Sequence, residues 1–291
     1  MTIDYRSDGK YVGGIMGYTD AAGSTEMENL KNAVAVSGKD YVGGIIGAWA
    51  VSTRNYSNYT VTLAEFENTG EVTGVSNYVG GIFGYMSFDE GSSYTVYLTE
   101  FKNTGAITGK TYVGGLIGYG ATDNNASYIK DCSSSSSIVA EAYAGCIAGR
   151  LVAVSVDSCT NDGSSISVTK YITESDTKYA YLGGFVGRGY LASNCTNKVN
   201  INYISDGRYV GGIMGYTDAS GSTTMSNLKN EATIKGKDYV GGIIGSWNVS
   251  TKNYSNYTVN IDSFENTGAV TGTGNYVGSC VCKCSIQSYR S

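Results

Sequence analysis

One short block recurs along the chain and restricts its fold more than any other feature. Val-Gly-Gly, an isoleucine or leucine, then Ile, Met or Phe, and a closing glycine begins at Val12, Val42, Val79, Val113, Val210 and Val240. Divergent copies start at Ala144 and Leu182, and a broken ninth starts at Val277. A tyrosine precedes every copy, at positions 11, 41, 78, 112, 143, 181, 209, 239 and 276, with starts 28 to 38 residues apart. A unit of that period buries its apolar face against its neighbours, which is the logic of a solenoid.

Each unit separates into three segments. The Tyr-Val-Gly-Gly segment reads as a strand. A spacer rich in Ser, Thr and Asn follows, often ending in alternation such as Thr60-Val61-Thr62-Leu63. The third segment is typified by Phe66-Glu67-Asn68-Thr69-Gly70, in which Asn-Thr-Gly is turn chemistry ahead of a short alternating strand. No window carries a long helical period. The reading is all-β: a single right-handed parallel β-solenoid (β-helix) of about eight coils, with two or three short strands per turn.

A ladder position recurs in the third segment. Leu30, Phe66, Phe101, Cys132, Cys159, Cys195, Leu228 and Phe264 occupy the same place in successive units, and all but Cys132 are followed two residues later by Asn. Stacked apolar side chains of this kind are expected to fill the core. The glycines are expected to allow tight bends or close approach of backbones between coils.

Residues 8–80 align without a gap with 206–278, with 54 identities in 73 positions. Residues 1–278 therefore read as one repeat domain, in which the six-coil block 8–205 is partly duplicated from 206. Residues 3–11 match 201–209, so the chain is expected to begin inside a coil of a longer protein. Residues 279–291 abandon the pattern for Cys280-Val281-Cys282-Lys283-Cys284, and are expected to be an aberrant, frame-shifted tail.

Composition removes several kinds of chemistry. The chain has no histidine and no proline, and its net charge is −5 from 20 basic and 25 acidic residues. Without histidine it cannot assemble a Ser-His-Asp or Cys-His nucleophile, nor the H-E-x-x-H zinc site. No basic stripe suggests nucleic acid, and no apolar run suggests a membrane span. The glycines lack the strand–helix context of a phosphate loop. Cys132, Cys146, Cys159 and Cys195 lack paired C-x-x-C spacing for a metal, which leaves free stacked thiols or a disulfide between coils. Carboxylates such as Asp89 and Glu90, or Glu65 and Glu67, are scattered spacer residues rather than a pair on one sheet face. No catalytic, cofactor or metal residue is assigned.

The unit resembles the GLUG repeat, a glycine-rich tandem motif of microbial surface and secreted proteins. The likeness is carried by Val113-Gly114-Gly115-Leu116-Ile117-Gly118 followed by Ile129-Lys130-Asp131-Cys132. It is repeated by Leu182-Gly183-Gly184-Phe185-Val186-Gly187 followed by Ser193-Asn194-Cys195. Most units place Phe or Leu where the family often has Cys. The resemblance implies an adhesin-like, non-enzymatic segment at the cell surface or outside the cell, serving as stalk or adhesive surface of a larger protein. GLUG arrays also flank immunoglobulin-cleaving metallopeptidases, which implies an alternative role as the accessory region of a secreted hydrolase. The fold itself admits a β-helical carbohydrate-active enzyme. Host or matrix glycans and proteins are the expected partners. The aromatic, amide-rich spacers Trp49–Tyr59 and Trp247–Tyr257 would either contact them or pack over a corner of the solenoid.

Overall fold

The computed structural model describes residues 2–4, 9–51, 58–88, 93–162, 165–168, 180–203, 208–219, 223–251 and 259–288. It begins with β1 (Thr2–Asp4), β2 (Lys10–Gly13), β3 (Met16–Thr19), β4 (Thr25–Glu28), β5 (Lys31–Asn32) and β6 (Ala35–Gly38), after which β7 (Asp40–Gly43) lies beside β2. Among the described residues every strand pairing is parallel and joins equivalent residues one turn apart: Val12 to Val42, Val42 to Val79, Val79 to Val113. Three of the four sheets contain nine strands, and the fourth combines the β4 and β5 positions of successive turns. The fold is a parallel β-solenoid. The exposed terminal levels bound about seven turns, slightly fewer than the eight expected.

A turn holds more strands than the sequence suggested, and the reason is local. The Val-Gly-Gly block is not one strand but a strand, a bend and a second strand, as in β2 and β3. A Cβ on Gly43 would run into the Ile46 carbonyl oxygen and stand 2.7 Å from the Ile82 oxygen. A Cβ on Gly44 would lie 2.5 Å from the Asn68 Cγ. These glycines have ordinary negative φ and serve close approach, folding the chain tightly against its own turn and the next.

The bend divides the interior into two apolar columns. Residues after it, such as Ile45, Ile82 and Leu116, pack with the Phe66, Phe101, Cys132, Cys159, Cys195 and Leu228 ladder. Residues before it, such as Val42, Val79 and Val113, pack with Val36, Val72 and Ile107. The Phe66 and Phe101 rings stack at 4.8 Å and 8°. Burying a side chain of this size is worth about 1.5–3 kcal/mol, repeated at each level.

Between the columns runs a buried asparagine ladder. Asn32 donates to the Asn68 Oδ1 and Asn68 to the Asn103 Oδ1, each at 2.8 Å. A second run passes from Asn161 through Asn197 and Asn230 to Asn266, each step 2.7 Å. Each interior amide also caps its own turn, as when Asn68 donates to the Gly70 carbonyl. The ladder breaks where the sequence has Ser134, whose hydroxyl bonds instead to the Ser136 hydroxyl at 2.7 Å. One level on, Cys146 replaces the second glycine of its block, and Asn161 there donates to the Gly184 carbonyl of the next turn.

Residues 281–288, set outside the repeat by their sequence, form a strand parallel to residues 244–251, with Ile244 opposite Val281. Among the described residues no helix is long and apolar enough to cross a membrane.

Candidate functional site

The tyrosine before each block forms a continuous stack along the outside of the solenoid. Tyr11, Tyr41, Tyr78, Tyr112, Tyr143, Tyr181, Tyr209, Tyr239 and Tyr276 follow one another with ring centroids 4.5 to 5.1 Å apart. Parallel register sets this spacing, since equivalent residues recur at the strand-to-strand distance. Seven of the nine, all but Tyr143 and Tyr181, have φ between +53° and +65°. For a bulky residue that region costs about 1–2 kcal/mol, and glycine or asparagine would occupy it more cheaply.

The other left-handed corner of the turn makes the contrast. There the residues are Asn29, Glu65, Glu100, Asp131, Ser158, Asn194, Asn227 and Ser263, all small polar or acidic. The tyrosine corner accepts no such substitution anywhere along the chain. Each ring-on-ring contact returns about 0.5–1.5 kcal/mol, which offsets the strain without explaining why tyrosine was needed at all.

A second row lies beside the first, at the residue that follows the closing glycine of each block. Register places Tyr18, Ala48, Tyr85, Tyr119, Arg150, Arg188, Tyr216 and Ser246 in line. Tyr85 meets Tyr41 and Tyr78 edge-on, and Tyr119 meets Tyr78 and Tyr112 in the same way. Arg150 lies 5.5 Å from the Tyr119 ring centre, and Arg188 lies 5.1 Å from that of Tyr216 and 6.0 Å from that of Tyr181. Arg188 also pairs with Asp218. The result is a surface stripe of aromatic rings with two guanidinium groups at its middle.

Burial raises the hydroxyl pKa of Tyr41, Tyr78, Tyr143 and Tyr181, and neighbouring tyrosines raise it further. At Tyr143 the two arginines partly oppose that rise. These phenols remain neutral through the physiological range.

The cysteines read from the sequence do stack. Cys132, Cys159 and Cys195 are buried and free, as is Cys146. Each thiol of the stack donates to the carbonyl two residues before it, at 3.1, 3.3 and 3.1 Å. Burial pushes the Cys146 thiol up to about 12, and raises those of Cys159 and Cys195 as well. A metal ligand or nucleophile requires the thiolate, and these groups hold their protons. Among the described residues no group of three or more Cys, Asp or Glu is placed to hold a metal ion.

The spacer aromatics divide. Trp49 and Trp247 are fully buried, and the Trp49 indole donates to the Ala21 carbonyl at 3.1 Å. They pack over a corner. Tyr59 packs against Tyr94 with tilted rings, centroids 5.1 Å apart, while residues 52–57 and 252–258 lie outside the described residues. Of the carboxylates, Glu65 sits at a left-handed corner and Glu67 lies 3.5 Å from the Lys31 ammonium. Asp89 and Glu90 lie outside the described residues.

The second row and its arginines were not read from the sequence, although a signal existed. Six of the first eight blocks are followed immediately by Tyr or Arg. Comparison of the chain with protein-family models, with curated proteins and with solved structures finds no match.

Proposed function

We propose that this chain is a GLUG-type repeat segment of a surface or secreted protein, and that its tyrosine stripe is an adhesive surface with no catalysis of its own. The observation that carries the reading is the retention of tyrosine at a strained corner in turn after turn. A bulky side chain kept at a strained, part-exposed corner, where the other left-handed corner uses small polar or acidic residues, is a signature of use rather than of folding economy.

A magnitude separates adhesion from a passive stalk. A turn of 28 to 38 residues advances the solenoid by about 4.8 Å, or about 0.15 Å per residue. A helix advances about 1.5 Å per residue and an extended chain about 3.3 Å. As a means of gaining length the fold is poor. As a means of repeating one chemical group in register it is efficient, and weak contacts at each level add through linkage.

The test is binding of the full chain to an immobilised panel of glycans and matrix proteins. Binding is expected to at least one member, to fall about tenfold in Tyr78→Ser/Tyr112→Ser, and to persist in Thr73→Ala/Thr108→Ala on a different sheet. A chain that binds nothing, or that binds equally after both double replacements, contradicts the reading.

A further inference from the structure

We infer that Arg150 and Arg188 form an anion-binding site within the stripe, taking an acidic polysaccharide through its sulfate or carboxylate groups. The inference rests on the adhesive reading and names the ligand class of that same surface.

The two arginines are paired in register on neighbouring turns, so their backbones are separated by the strand spacing of about 4.8 Å. Like charges facing one another in a ladder oppose folding. Only one carboxylate answers them: Asp218 pairs with Arg188, while Arg150 has no acidic partner among the described residues. The Nε–H groups of both arginines are buried and without a hydrogen-bond acceptor. The site therefore carries one uncompensated positive charge in a chain whose net charge is −5, and two buried donors are left unsatisfied to hold the guanidinium groups there.

The surroundings suit the same ligand. Stacked tyrosines flank the two arginines, and the edge of an aromatic ring is the positive part of its quadrupole. The phenols are neutral at physiological pH, as tyrosine ordinarily is, and burial and neighbouring rings move Tyr78 and Tyr181 further from ionisation. On either side of the charged centre, then, lie groups that bond to hydroxyls and repel no anion. A polymer with scattered charges and many hydroxyls matches this pattern. Nucleic acid does not, since it presents a charge every few ångströms and needs a run of cations to neutralise them.

The probes are dextran sulfate, polygalacturonate, neutral dextran and double-stranded DNA, titrated calorimetrically against the full chain at low and moderate salt. Binding of either acidic polysaccharide but not of dextran supports the site, and which of the two is tighter separates sulfate from carboxylate. Arg150→Gln is expected to weaken that binding at least tenfold with an unchanged β-sheet circular dichroism spectrum. Asp218→Asn, which removes the competing carboxylate, is expected to tighten it several-fold. Equal binding of dextran with no response to Arg150→Gln overturns the anion site and leaves the adhesive stripe standing. DNA binding as tight as that of the polysaccharides overturns the ligand class. No binding of any probe by a chain that does bind other members of the glycan panel overturns this inference alone; no binding to either set overturns both.

Discussion

Gly114→Ala is expected to lower the stability of the chain by about 3 kcal/mol or more, the upper end of overpacking costs. The new Cβ would run into the Ile117 carbonyl oxygen of its own turn and lie 2.9 Å from the Ala148 Cα of the next. Both obstacles are backbone atoms held in parallel ladders, so neither can swing aside as a side chain would. A solenoid is stabilised by contacts between nearest neighbours. Damage at a central level should therefore separate the two halves, and urea unfolding should change from one transition to two. Thr108→Ala, on an outward strand position of the same turn, should change stability by no more than about 0.5 kcal/mol. A Gly114→Ala chain that unfolds like the parent would mean that the block does not bend where described.

Asn197→Ala should cost nearly as much, for a different reason. Asn197 is fully buried. It accepts from Asn161 at 2.7 Å, donates to Asn230 at 2.7 Å, and bonds to both the N–H and the carbonyl of Val199 at 3.1 Å. Alanine leaves the Val199 N–H and carbonyl without partners in the interior, each costing about 1–3 kcal/mol, so a loss of about 3 kcal/mol is expected. The natural break in the ladder shows what compensation looks like. At Ser134 the missing amide is answered by the Ser136 hydroxyl, and no such group stands at Val199. Chemical denaturation of the variant beside the parent measures the difference, and a loss under 1 kcal/mol would mean that the amides are not the seam between the two columns.

Much of this architecture was legible before the fold was known. The spacing of Leu30, Phe66, Phe101 and the three cysteines gave the core ladder, because a side chain repeated once per turn can only stack. The asparagine two residues later was visible too, though its role was not, since hydrogen bonds between turns depend on register. The number of strands per turn was underestimated. The bends arise from carbonyl groups approaching glycine, and nothing in Val-Gly-Gly-Ile distinguishes that from a straight strand. The strained tyrosines were hidden for a related reason: a positive φ is ordinarily read from Gly or Asn, and Tyr41 or Tyr78 carries no such mark. Arg150 and Arg188 are 38 residues apart in sequence, and became one site only when the levels were laid on each other. The spacer tryptophans left two readings open, a contact surface or packing over a corner, and the burial of Trp49 and Trp247 decides for the second.

In-register stacking is the premise of both the fold and the displayed stripe, and a pair of introduced cysteines tests it most directly. Lys31 and Glu67 are Cα partners on adjacent turns, and Lys102 is the next residue in the same line. In a chain with Cys280, Cys282 and Cys284 replaced by Ser, Lys31→Cys/Glu67→Cys brings two exposed thiols onto neighbouring strands about 4.8 Å apart. That pair is expected to form a disulfide on mild oxidation. Lys31→Cys/Lys102→Cys separates them by two levels, about 9.6 Å, beyond the roughly 7 Å that a disulfide can span, and should stay reduced. Equal crosslinking of both pairs, or crosslinking of the second alone, would contradict the stack.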